Sequence, residues 1–139
     1  MITLKTNISK LKRHEIKTLN DCLLKVCKKE LGSKKGLDID YTKKMDCYGY
    51  YDPELKKIMV NKKNCTTIEK YVNVVIHEYR HSKQYGLQKY YLAFNELYGY
   101  WDNPFEVDAR FAANTFRPIV WKKVKELYKK NLEPNLIRG

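Results

Sequence analysis

Histidine is scarce in this protein, three residues in 139, and no apolar run approaches the roughly 20 residues that cross a bilayer. Six glycines and four prolines exclude collagen-like and low-complexity chains. No CxxC pair occurs among Cys22, Cys27, Cys47 and Cys65, and the opening MITLKTNISK lacks the apolar stretch of a secretory leader. The cysteines are therefore expected to be reduced, partly buried thiols rather than a disulphide framework. Acidic residues are outnumbered, 16 Asp+Glu against 28 Lys+Arg, for a net charge of +12. Such a balance raises nucleic-acid or acidic-protein binding as a function class. Much of it, however, is lysine scattered in pairs such as Lys28-Lys29, Lys34-Lys35 and Lys62-Lys63, the pattern of a solvated surface. With 43% hydrophobic and 32% charged residues, one domain over 1–139 is expected, with no membrane association.

Apolar periodicity orders the elements. Ser9 reads as an N-cap, and Leu11, Ile16, Leu19, Leu23 and Val26 recur at helical spacing until Gly32, which predicts a helix over about 10–31. His14 falls on its polar side. From Leu37 the period becomes two, with Leu37, Ile39 and Tyr41 on one face, so a short strand is expected. The runs 46–51 and 57–61 flank Asp52-Pro53, a turn signal, and should pair as a hairpin. Thr66-Thr67-Ile68-Glu69 has the spacing of a capping box, predicting a second helix over about 67–85 closed by Gly86. A short helix is expected around 88–98. Asn103-Pro104 then opens a helix over about 104–116, and Pro118 predicts a break before a separate helix ending near Lys130. The fold class is α+β: an N-terminal helix, a short three-stranded antiparallel or mixed sheet, and helices to the end.

Two of the three histidines fall in one pentapeptide, His77-Glu78-Tyr79-Arg80-His81, where chance predicts only about 0.004 HExxH occurrences in a chain of this composition. Spacing of i,i+4 puts both imidazoles on one face of a helix, one turn apart, so that both can bind one zinc ion. Glu78 then lies where a carboxylate can take a proton from a water activated by the metal, which is the logic of a zinc peptidase. The bland alternative is two helix-surface histidines. No histidine follows His81, so the third ligand is expected to be a carboxylate, among Glu96, Asp102, Glu106, Asp108, Glu126 and Glu133. Glu106 is chosen because it opens the next substantial helix, where Ala109, Ala112 and Ala113 permit close approach. Two alternatives stay open: Glu106 serving only as a capping-box partner of Asn103, and Asp108 as the ligand. An electrophile for the oxyanion is sought among Tyr85, Tyr90, Tyr91, Tyr98 and Tyr100. Arg110, one turn beyond Glu106, could orient that carboxylate or Asp108.

HEYRH followed by NPFEVDARFAA resembles the small HExxH zincin metallopeptidases with a glutamate third ligand, the gluzincin type, near the ImmA/IrrE-like and phage- or virus-encoded members. The resemblance covers about residues 66–116. It implies a minimal zincin core, one Zn2+ held by His77, His81 and Glu106, and Glu78 as general base. It also implies an edge strand, here from the 46–61 hairpin, that holds an extended protein or peptide substrate by β-augmentation. The expected activity is zinc-dependent endopeptidase in the cytoplasm, or in a host cytoplasm or virion for a virus-encoded protein. The competing reading is a zinc-stabilised basic binding module for nucleic acid or an acidic protein, with little or no catalysis.

Overall fold

A computed structural model describes residues 2–42 and 46–132. After a single 3-10 turn at Ile8–Lys10, the elements are α1 (Arg13–Glu30), β1 (Asp38–Thr42), β2 (Gly49–Asp52), β3 (Lys57–Asn61), α2 (Ile68–Lys83), α3 (Leu87–Asp102) and α4 (Pro104–Leu132). The expected α+β class and order hold. Among the described residues no helix is long and apolar enough to cross a membrane.

The first helix begins three residues later than its apolar spacing suggested. Ser9 is not its cap: Asn7 accepts from the Ser9 N–H at 3.0 Å, and the chain turns before Glu15 receives the Lys12 N–H at 2.9 Å to open α1. A side-chain acceptor two residues upstream won over the helical pattern, because an Asx turn closes locally without helix nucleation. Ile16, Leu19, Leu23, Val26 and Cys27 form the buried stripe of α1, and Gly32, at φ +101°, ends it as expected. His14 is exposed.

The three strands form one mixed sheet in the order β1-β3-β2. Tyr51 pairs with Ile58 in the antiparallel hairpin, while Ile39 pairs with the same Ile58 in the parallel pair. The central strand carries the fully buried Ile58 and Val60. The hairpin turn is built as its sequence implied, with Asp52 Oδ1 accepting from the Glu54 and Leu55 N–H groups. β2 is left as an edge. Gly49 lets that edge lie against α2: a Cβ there would stand 2.5 Å from Val74 Cγ1 and 2.8 Å from the Met59 carbonyl.

α2 is the centre of the molecule. Tyr71, Val72, Val75, Ile76 and Tyr79 are fully buried between the sheet, α1 and α4. Its N-cap is Thr67, whose side chain accepts from the Lys70 N–H, rather than the Thr66–Glu69 box. The next donors are met from the N-terminal segment, Ile68 by the Thr6 carbonyl and Glu69 by that of Leu4. Gly86 does not end α2, which stops at Lys83; its left-handed conformation opens α3 instead. α3 is longer than expected and is interrupted by the non-helical Gly99.

The largest departure from expectation is α4, which runs through Pro118 for 29 residues instead of breaking into two helices. Proline removes one N–H and crowds the carbonyl four residues back, at a cost of about 3 kcal/mol or more. Here that carbonyl belongs to the exposed Asn114, where water can satisfy it, and Pro118 is itself exposed. On the opposite face Ala109, Ala112, Ala113, Val120, Trp121, Val124 and Tyr128 are all buried, before and after the proline. Burial of that continuous stripe against α2 and then α1 outweighs the local penalty.

Candidate metal centre

The imidazoles of His77 and His81 stand on one face of α2 with their ring centroids 4.9 Å apart. One donor atom each of His77, Glu78 and His81 lies within 4.8 Å of the others, an arrangement that could hold a metal ion. The first turn of α4 brings Glu106 to the same point. Its Oε1 is 2.9 Å from His77 Nε2 and 3.2 Å from His81 Nε2, and its other oxygen accepts from the Tyr91 hydroxyl. Asn103 sets this register: its side chain accepts from the Phe105 N–H at 3.0 Å, and its carbonyl from that of Glu106. The Asn103 N–H goes to the Tyr100 carbonyl, so the Glu106 carboxylate is spent on the histidines and not on a capping box.

The other carboxylates considered for the third ligand lie elsewhere. Asp108 points away from the histidines, taking hydrogen bonds from Arg80 and Gln84 at 3.0 Å each. Glu96, Asp102 and Glu126 are exposed, and Glu133 lies outside the described residues.

Gln84 was invisible to motif reasoning and holds the outer side of the centre. Its Oε1 is 2.6 Å from His81 Nδ1, and its amide donates to the Phe105 carbonyl at 2.8 Å as well as to Asp108. With Gln84 on Nδ1, His81 turns its Nε2 to the cluster, where it donates to Glu106 and, once deprotonated, could ligate a metal; a partner on Nδ1 is the usual outer support of a metal-binding histidine. The only sequence signal was an amide three residues past the second histidine, at a helix end.

Burial and charge act against each other at these groups. Burial pushes Glu78 up from the ordinary carboxylate range, opposed by His81 and His77 and by the Tyr51 backbone, while Glu106 adds to the rise. Glu106 goes the other way. Burial alone would raise it, but hydrogen bonds from His77, His81 and Tyr91 hold it well below the usual range. For His81, burial favours the neutral ring, yet Glu106, Glu78 and Gln84 raise it overall. Two neighbouring carboxylates are thus driven apart, one toward protonation and one firmly ionised.

The centre lies in a groove between the β2 edge and α3. On the His81 side it is walled by Tyr50, Tyr51, Pro53, Leu87 and Tyr91, and on the His77 side by Asn73, Val74, Arg110 and Arg117. Tyr100 lines both sides, and burial raises its phenol above the ordinary value, with the charges of Glu106 and Glu78 adding to the rise. Of the five tyrosines considered for the oxyanion, Tyr85, Tyr90 and Tyr98 line neither wall and Tyr91 lines only the His81 side, whereas Tyr100, 58% exposed and also within reach of Glu106, lines both. Arg110 reaches neither Glu106 nor Asp108; one of its nitrogens donates to the Trp101 carbonyl. Cys47 is exposed at the groove, while Cys22, Cys27 and Cys65 are buried, with burial pushing the Cys27 thiol up to about 12.

Comparison with protein-family models, with curated proteins and with solved structures finds no match.

Proposed function

We propose that this protein is a zinc-dependent endopeptidase of the small zincin type, with His77, His81 and Glu106 as the ligands of one zinc ion. The observation that carries the reading is the convergence of two imidazole nitrogens on one oxygen of Glu106, with Glu78 beside them in an open groove. Ligand atoms around a tetrahedral ion with bonds of about 2.0–2.1 Å lie about 3.3 Å apart. The edges of 2.9 and 3.2 Å are near that length, so the donor set fits. Zinc, when bound, supplies Lewis acidity that eases proton loss from water near neutral pH and polarises a carbonyl oxygen.

The remaining chemistry is assigned to the chain itself. Glu78, whose affinity for a proton is increased by burial, takes the proton of the attacking water and delivers it to the departing amine. Tyr100, present on both walls, offers its hydroxyl to the oxyanion. The outer edge of β2 lies along the groove and, apart from the Tyr51 backbone group engaged by Glu78, supplies backbone partners to an extended peptide.

Glu78→Gln tests the reading. It should leave folding and zinc content nearly unchanged while lowering the rate of peptide cleavage by about 10²–10⁴. Zinc is measured by elemental analysis and cleavage by mass spectrometry over a peptide panel. Chelator-sensitive cleavage that the variant loses supports the peptidase. If neither protein cleaves and both bind DNA or RNA equally, with affinity falling as salt rises, the +12 chain is a zinc-stabilised basic module instead.

A further inference from the structure

The His77 side of the groove carries two arginines that form no ion pair among the described residues. Glu106, Arg110, Ala113 and Arg117 recur at four-, three- and four-residue steps along one stripe of α4, so the helix that brings Glu106 to the histidines also aims two guanidinium groups along the same groove. Arg117 donates from Nη1 to Asn73 Oδ1 at 2.8 Å, a neutral partner. Arg110 stacks on the Trp101 ring, 3.8 Å from its centre, and gives one nitrogen to the Trp101 carbonyl. Its Nη1 is buried and has no hydrogen-bond partner among the described residues. No ion pair among those residues includes either arginine, whereas Arg80, on the far side of α2, is paired with Asp108. A guanidinium donor buried without an acceptor is costly, and native structures rarely keep one without a use.

We infer that Arg110 and Arg117 recognise a carboxylate of the peptide substrate, seated one or two residues from the bond that is cut. The inference rests on the peptidase reading for the nature of the ligand. Asn73, which holds Arg117, precedes His77 by four residues, about 6 Å along the axis of α2, and an extended peptide advances about 3.3 Å per residue. The groove there encloses about 540 Å³, enough for a carboxylate side chain or a chain terminus. Asp46, Glu69 and Glu78 also line it, but Glu69 neighbours Lys70 at the start of α2, beyond Asn73, Asp46 belongs to the segment before β2, and Glu78 is turned to the histidines and the Tyr51 backbone. None of the three forms an ion pair with either arginine among the described residues. The Trp101 ring that the Arg110 guanidinium faces is 68% exposed, so the arginine can turn to a carboxylate without disturbing the core. Arginine is suited to this task because its planar fork meets a carboxylate with two parallel hydrogen bonds.

The test measures binding to zinc-loaded Glu78→Gln protein, so that recognition is read apart from turnover. Four fluorescein-labelled hexapeptides of alanine are titrated by polarisation, with Glu or Gln at the third position and a free or amidated C-terminus. A preference of roughly 10–100-fold for the Glu peptides places the carboxylate on a side chain, and the same preference for the free acids places it at the terminus. In either arm Arg110→Met should abolish the preference and Arg117→Met should reduce it. Arg110→Lys, which keeps the charge and loses the fork, should fall between, and the melting temperatures of all three should match their parent. Equal binding of all four peptides, binding of none, or a preference that survives both methionine variants overturns the inference. If the arginine-dependent preference appears while zinc-loaded wild type cleaves no peptide, the recognition site stands and the peptidase reading fails.

Discussion

α2 and α3 are helices of 16 residues each, consecutive in the chain, and both line the same groove, yet one buries nine residues and the other none. α2 is packed against the sheet, α1 and α4, and its N-terminal end is tied by Thr67 and by the carbonyls of Leu4 and Thr6. α3 exposes Leu92, Leu97 and Tyr98, and it is held at a few points. Those points include Tyr91 on Glu106, Asn103 on the Tyr91 carbonyl and Asn95, Arg110 on Trp101, and a cluster of Tyr90, Phe94, Tyr98 and Phe105 rings. The histidines and Glu78 thus ride on the most firmly packed element, while the wall opposite is anchored largely through the centre itself. That division suits the proposed function, in which a ligand set needs fixed geometry and a substrate groove needs one wall that can yield.

The largest expected effect is on the tie between α2 and α4. Glu106→Gln should lower zinc affinity by more than the roughly 10–100-fold that loss of an outer hydrogen bond costs, and Asp108→Asn should stay within that range. Competition with a chelating dye measures both, and an order reversed would return Asp108 to the ligand role. Next comes stability. Ile76→Ala, at a fully buried position of α2, should cost about 2–5 kcal/mol, whereas Leu92→Ala on α3 should change it by no more than about 0.5 kcal/mol. Urea unfolding of the two variants compares the helices directly, and equal losses would mean that α3 is packed as firmly as α2. Smaller again is Tyr91→Phe. Removing the hydroxyl that holds Glu106 should lower zinc affinity about 10-fold and speed amide exchange in α3 while leaving α2 protected.

The smallest effect is the pH profile of the chelated protein. The folded Glu106 is held low, so its contribution is present above the unfolded value of about 4.3 and lost as pH falls through the folded one. His81 and Glu78 are both raised, so their contributions are present below unfolded values of about 6.5 and 4.3, and are lost as pH rises through the folded ones. Melting temperature without metal should therefore peak in mild acid and decline toward neutrality. With zinc the order inverts, because the ligands must give up their protons to the ion. Identical profiles in the two states would mean that these groups do not meet the metal.

Elements whose pattern is purely local were legible in the chain. The alternation through Leu37, Ile39 and Tyr41, the Asp52-Pro53 turn and the apolar stripe of α2 each reappear near their expected places. Ser9, Thr66 and Gly86 misled at the boundaries, since several residues nearby could make the same capping contact and only the path of the neighbouring chain selects among them. Pro118 misled more deeply, because its penalty is local and the burial that overrides it is not.

The candidate centre divides in the same way. His77, Glu78 and His81 share a face by helical geometry alone, and five consecutive residues suffice to put them there. Tertiary packing decided that Glu106, and not Asp108, reaches them, that Gln84 holds His81 from behind, that Tyr91 lies on Glu106, and that Arg110 and Arg117 line the groove beyond. Those relations join residues on separate elements, and their distances depend on how α3 and α4 settle against α2, a sum of many small packing terms spread over the whole core and written in no short stretch of sequence.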